Sequence, residues 1–281
     1  MATSEIEVRL AAVATPVRYS SSSSRRIRAI ALNTFRESIR DRVLYNLILF
    51  VLILVAASAI VSDLSLDMES QFTATLGLSA MLVFGALIAI FIGVGLVYKE
   101  IDKRTIYSLL SKPVQRHEFI VGKYVGLCLT LLVNTAVMVL ATELALLYVN
   151  GKFVGLHTSV LAASFLVYLE LAVLVAVALM FSSFSTPMLS ALFSFAVYVI
   201  GNFSKDLLQM AALANSPISR TVLTTLYYLL PNLSNFGFIT EASHGKVVPI
   251  GMAISATVYA FVYIAILLSA AVLIFQKRNF K

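Results

Sequence analysis

Lys99–Lys123, KEIDKRTIYSLLSKPVQRHEFIVGK, is a charged island between two long apolar runs, and its reading decides the fold. Ile106, Leu109 and Leu110 share one face at i, i+3, i+4 spacing, while Lys99, Glu100, Asp102, Lys103 and Arg104 crowd the start, so the stretch reads as a short helix. Pro113 forces Lys112 out of the helical region, and a second helix opens at about Gln115 and runs straight into the next apolar run. The competing reading is a solvated loop that carries only topogenic charge. Helical periodicity argues against it.

The flanking runs set the class. Hydrophobic residues make up 60% of the 281-residue chain and charged residues only 12%, at a mean hydropathy of +0.93. A soluble domain carries about a quarter charged residues, so this is a polytopic, all-α membrane protein. The formal charge of +7 does not indicate nucleic acid, because the basic residues cluster at the ends of apolar runs, as membrane topology requires. The single Cys128 lies inside an apolar run, which leaves no disulfide framework and no thiolate metal site. No early apolar segment precedes residue 40, so no cleaved signal peptide is expected.

Residues 1–24, ending in Ser20–Ser24, lack the apolar content to fold and read as a flexible cytoplasmic tail. Over residues 25–42, Ile27, Ile30, Ala31, Phe35 and Ile39 recur at helical spacing opposite Arg26, Arg28, Arg36 and Arg40. That pattern predicts an interfacial amphipathic elbow helix whose basic face suits anionic lipid headgroups; a helix packed on another protein is the alternative. Residues 43–281 form the membrane domain. Six apolar segments are expected as spans, at Val43–Ser62, Phe72–Tyr98, Phe119–Val149, Ser159–Phe184, Met188–Phe203 and Val247–Phe275. The fifth is short. Between it and the sixth, residues 204–246 supply LLQMAALA and SRTVLTTLYYLLP, too short to span and too apolar for free solvent, which are read as outer re-entrant or interfacial helices. Seventeen Lys and Arg fall on the side of the N-terminus, the 99–123 loop and the C-terminal tail, against Lys152, Lys205, Arg220 and Lys246 on the other. Both termini are therefore expected in the cytoplasm, with the chain in the cell (inner) membrane.

Chemistry is sparse. No Gly-x-x-x-x-Gly-Lys-Ser/Thr run is present, so any ATP must be handled by a partner, and no enzymatic activity or bound cofactor is expected of this chain. His117 is expected inside, His157 and His244 outside, as solvated loop histidines; the eight methionines show no Met-x-x-Met or Met-x-Met spacing and read as core filler. Glu143 and Glu170 lie within spans, where a bare carboxylate is costly. Each is either satisfied by Asn134, Tyr168 or nearby backbone, or lines a substrate path. Gly85, Ala89 and Gly93 form one small-residue stripe, and Gly122, Gly126, Thr130 and Asn134 another; both are read as close-packing faces. Asn202-Phe203-Ser204 and Asn232-Leu233-Ser234 match the glycosylation triplet and are read as chance matches.

The central loop resembles that of the permeases of type-2 ABC exporters. The resemblance rests on Glu100, Arg104-Thr105-Ile106, Leu110-Ser111-Lys112-Pro113-Val114, Arg116, and Gly122-Lys123 at the start of the next span; the hydropathy layout extends it over residues 27–281. Arg104-Thr105, where many members have Gly-Thr, is closer to the branch containing the permeases of nitrous-oxide-reductase maturation and of gliding motility. The resemblance implies a homodimer with two copies of a separate ABC ATPase that holds ATP and Mg, and a coupling helix built from Glu100, Lys103, Arg104, Ile106, Leu109, Leu110 and Pro113 that docks on that ATPase. Two other readings compete. One is ATP-driven force or signal transmission to an outer partner without solute movement; the other is a secondary transporter driven by an ion gradient through Glu143 or Glu170. Apolar cavity walls suit lipids, drugs and apolar peptides alike, so the sequence assigns no substrate.

Overall fold

A computed structural model of the protein describes residues 23–40, 49–50, 53, 68–102, 115–151, 155–214 and 216–277. The described residues are helical apart from short connections. The long helices are α1 (Ser23–Arg40), α2 (Glu69–Asp102), α3 (Arg116–Asn150), α4 (Gly155–Ser182), α5 (Pro187–Asn202) and α9 (Ile250–Lys277). Between α5 and α9 come α6 (Ser204–Leu213), α7 (Pro217–Leu229), a 3-10 turn at Leu233–Phe236 and α8 (Ile239–Ser243). The expected first span, Val43–Ser62, lies almost wholly outside the described residues, as do residues 1–22 of the tail.

Four helices, α2, α3, α4 and α9, carry windows of mean hydropathy 2.1 to 2.6 and are long enough to cross a bilayer; α5 and α6, bent by 69° at their junction, form one further broken span. These correspond to the second to sixth expected spans. The helix starts are legible in local chemistry. Pro187 opens α5 with Thr186 in extended backbone before it, and Gln115 caps α3 as the sequence predicts. Gly151, in the left-handed conformation at φ 64°, ends α3, a geometry a side chain disfavours.

α4 is the hub. Four-fifths of its apolar window (78%) is buried, against 22% for α9, because α2, α3, α5 and α9 all pack on it. The α2 stripe gives the reason for the close approach: a Cβ on Gly85 would lie 2.4 Å from the Leu171 side chain, and one on Gly93 would lie 3.0 Å from that of Ala178. These contacts advance together along both chains, so α2 and α4 run in the same direction. α3 runs against them. The bundle thus has a proximal end, carrying Arg116, Ser183 and Phe275, and a distal end, carrying Gly151, His157 and residues 203–249.

α1 departs from expectation. Its Ile30, Ala31 and Thr34 meet Gly122 and Gly126 of α3, and Arg26 meets Glu118, so contacts step forward by four residues on each helix. The helix therefore lies lengthwise along the first turns of α3, and the face it buries is Ala31, Thr34 and Ser38. The face packed on α3 shares Ile30 and Ala31 with the expected apolar stripe and is completed by Thr34 and Ser38, while Ile39 remains exposed, since a Gly-x-x-x-Gly pair accepts small and polar side chains at close range.

In the distal segment α7 has no buried residue and α6 buries only Ser204 and Ala211. The buried part is the stretch after them, where Pro231, Leu233, Ser234, Phe236, Ala242 and Ser243 are buried and α8 packs on α2 and α4.

Gly126 gives the fold a direct test. A Cβ there would sit 2.6 Å from the Ala31 carbonyl oxygen and 2.6 Å from Thr34 Cβ, whereas one on Gly95 meets nothing within 4 Å. Gly126→Ala should cost about 1–3 kcal/mol through forced displacement of α1, while Gly95→Ala should be neutral or stabilising; thermal unfolding in detergent separates them.

Candidate functional site

Three polar assemblies are built into this apolar bundle. The first is at the proximal end, where the 99–123 loop joins α3. Glu118, in the first turn of α3, has a fully buried side chain and receives both ends of the Arg26 guanidinium, from Nε at 2.8 Å and from Nη2 at 2.7 Å. Its Oε2 also accepts the Gln115 backbone N–H at 3.2 Å, which caps the helix start. The hydrogen bond to Glu118 holds Arg26 above its ordinary, already high, pKa. One residue turn away, Arg116 Nη1 donates to the Phe275 carbonyl at 2.9 Å, and the rings of Phe119 and Phe275 stack at 6.0 Å. Lys123 is buried below, its Nζ 5.8 Å from the Phe119 ring centroid.

Of the expected coupling residues, Glu100 falls in the last turn of the α2 helix, while Lys103, Arg104, Ile106, Leu109, Leu110 and Pro113 lie outside the described residues. Sequence reasoning passed over Glu118, treating it as the plain opening of a span. The available signal was a carboxylate at the third helical position, where it can reach back to cap the first.

At the distal end, Glu143 Oε2 and His157 Nδ1 lie 2.5 Å apart across the α3–α4 turn. This corrects two expectations. Glu143 is partnered neither by Asn134 nor by Tyr168, and His157 is buried, not solvated, because α4 begins close enough to α3 to bury its first turn. Asn134 is itself buried with neither amide atom hydrogen-bonded, and Tyr168 donates to the Cys128 carbonyl at 3.4 Å. His244 is exposed and donates through Nδ1 to the Thr240 carbonyl at 2.7 Å.

The third assembly surrounds Glu170 in the middle of α4. Asn202, at the end of α5, donates from Nδ2 to Glu170 Oε1 at 2.8 Å and to its own Tyr198 carbonyl at 3.1 Å. Two residues on, at the 69° bend, Ser204 donates to the Gly201 carbonyl at 2.6 Å and sits 2.5 Å from Asn232 Oδ1, which also accepts from Ser234 at 2.6 Å. The Asn232 backbone N–H donates to the Tyr259 hydroxyl at 2.7 Å. Gly201 lets the 231–233 segment close on the break, since a Cβ there would stand 2.8 Å from the Pro231 carbonyl. Ser204, Asn232 and Ser234 of the two Asn-x-Ser triplets therefore form one hydrogen-bonded cluster at the break in the helix.

An apolar groove of about 460 Å³ opens between α4 and α9, lined by residues including Ala162, Phe165, Val248, Ile254 and Thr257. Neither Glu143 nor Glu170 lines it. No three His, Cys, Asp or Glu side chains come together as a metal site among the described residues.

Asn202→Leu should cost about 1–3 kcal/mol by leaving the buried Glu170 carboxyl unsatisfied. Asn202→Leu combined with Glu170→Leu should recover most of that loss. Thermal unfolding of the two variants beside the parent checks it.

Comparison with curated proteins finds no significant match. The sequence pattern of the ABC-2 family transporter protein matches residues 28–280, nearly the whole chain, covering most of α1 and all of the later helices. The chain therefore belongs to the ABC-2 family of transporter proteins: it is a multi-pass membrane subunit of an ABC transporter.

Proposed function

We propose that this chain is the membrane half of an ABC exporter, working as a homodimer with two copies of a separate ATPase that binds ATP and Mg. The observation that carries the reading is family membership over residues 28–280 in a chain with no nucleotide-binding loop of its own. Members of this family generally partner with an ABC ATPase, which supplies the hydrolysis. The proximal end is the cytoplasmic one, with both termini there and the protein in the cell membrane. This follows from the seventeen-to-four bias in Lys and Arg. In this reading the 99–123 loop touches the ATPase. Ile106, Leu109 and Leu110 enter a groove on it, Glu100, Lys103 and Arg104 set the register, and Pro113 fixes the angle at which motion passes into α3. The translocation path runs between protomers, with Glu170 the better candidate of the two intramembrane acids to face it. The exposed Arg25, Arg28 and Arg36 of α1 suit anionic headgroups.

Force transmission without solute movement draws on one observation. Ile218, Val222, Tyr228 and Leu229 of α7 are all exposed, which leaves a distal surface for an outer partner. A cavity that opens between protomers with nucleotide would favour export; a cavity that stays closed while α7 moves would favour transmission.

Cysteines at residues 104–111, in a Cys128→Ser background, should cross-link to the ATPase, and Leu109→Asp/Leu110→Asp should abolish stimulated hydrolysis with membrane insertion intact. Cross-linking confined to the N-terminal segment or the C-terminal tail would misplace the coupling element. Cysteine at Lys152, but not at Lys112, should react with an impermeant reagent in intact cells; labelling at both positions would overturn the topology.

A further inference from the structure

The first turn of α3 ties together parts of the chain that lie far apart in sequence. Within four residues, Arg116 and Phe119 hold the last turn of α9, and Glu118 holds α1; the next turn, Ile120 to Lys123, continues both contacts. We infer that Arg26, Glu118 and Arg116 are positioning residues for coupling: they make α1, the start of α3 and the end of α9 one rigid cytoplasmic body, so that displacement of the 99–123 loop is delivered to both chain ends at once. The inference rests on the coupling role proposed above for that loop.

The physical case is a contrast between kinds of contact. Helices held only by apolar side chains can slide by fractions of a turn at small cost, because dispersion is not directional. A bidentate guanidinium–carboxylate pair fixes distance, angle and register together. Sliding it apart would strand a carboxylate whose side chain has no exposed surface. The second tie is directional too, since the Arg116 guanidinium donates to the Phe275 carbonyl in the last turn of α9. The glycines add a shape constraint. Gly122 and Gly126 bring α1 so close to α3 that a single methyl group would collide with the Ala31 carbonyl or the Ile30 side chain. Away from this joint α9 exposes Ile254, Val258, Phe261 and Ile266, and its directional contacts among the described residues are those of Tyr259 and Tyr263 with the 229–232 segment at the distal end.

The test uses the full chain with its partner ATPase in lipid nanodiscs. Arg26→Glu and Glu118→Arg should each lower the stimulation of the ATPase at least fivefold, and the double exchange should restore more than half of it, because the pair re-forms with its sense reversed. A double exchange no better than the worse single variant, or single variants that stimulate normally, would overturn the proposal. Should a reversal fail to assemble, Arg26→Lys and Glu118→Gln replace it; each keeps size but loses the two-pronged geometry, and each should still lower stimulation several-fold. Normal stimulation by both would overturn the proposal.

A second readout does not depend on hydrolysis. Spin labels at Leu32 of α1 and Leu273 of α9, both exposed, in a Cys128→Ser background and diluted with unlabelled chain, should keep one separation with and without a trapped nucleotide. A nucleotide-dependent change in that separation would refute the rigid body. If the unaltered complex shows no stimulation, the coupling role of the loop fails while the label distance still decides whether the three pieces move together.

Discussion

The structure depends on the pair between Arg26 and Glu118. It joins residues 92 positions apart, closes the start of α3 over the Gln115 backbone, and seats α1 against the Gly122–Gly126 face. Each of those features is weak in isolation. Glycine in a helix interior costs about 1 kcal/mol relative to alanine, and an exposed amphipathic helix of 18 residues has little reason to hold one orientation. The ion pair turns them into a joint. With the carboxylate buried and bidentate, α1 has a single register on α3, and the glycines then gain from a backbone approach that other residues would prevent.

The same constraint governs the remainder of the polar content. An apolar bundle tolerates hydrogen-bonding groups only where partners are waiting, and here they are supplied at two ranges. Short-range partners come from the helix itself: Thr130, Thr135, Thr142, Ser164 and Ser194 each donate to a carbonyl four residues back, which makes them sterically small without leaving a hydroxyl bare. Long-range partners are kept for groups that the local backbone does not satisfy. Glu143 meets His157 and Glu170 meets Asn202, both between neighbouring helices and both next to an end or a break. The break between α5 and α6 frees backbone groups within the bundle, and Ser204, Asn232, Ser234 and Tyr259 gather around it.

Much of this was legible in one dimension. Hydropathy and helical periodicity placed five of the spans within a few residues of the observed helices; Gln115 marked the start of α3; and the four-residue repeat of small side chains named the two faces along which helices approach closely. These properties are local. They depend on backbone hydrogen bonding and on residue size at fixed spacing, which a single chain carries whatever its neighbours do.

What only the tertiary structure decided is which polar side chain meets which. Glu118 reads as an unremarked residue at a span's start until Arg26 is beside it, and His157 reads as a loop residue until α4 begins under the end of α3. The two Asn-x-Ser triplets carry no mutual signal across the 28 residues that separate Ser204 from Asn232. Pairings of this kind are set by the rotation of each helix about its axis and by its axial register. A rotation of one residue, about 100°, carries a side chain from a partner to open surroundings while leaving the hydropathy pattern almost unchanged. The sequence by itself therefore determined a helical membrane subunit and the faces on which its helices could meet. The folded chain determined the registers, and with them the places where charge is held.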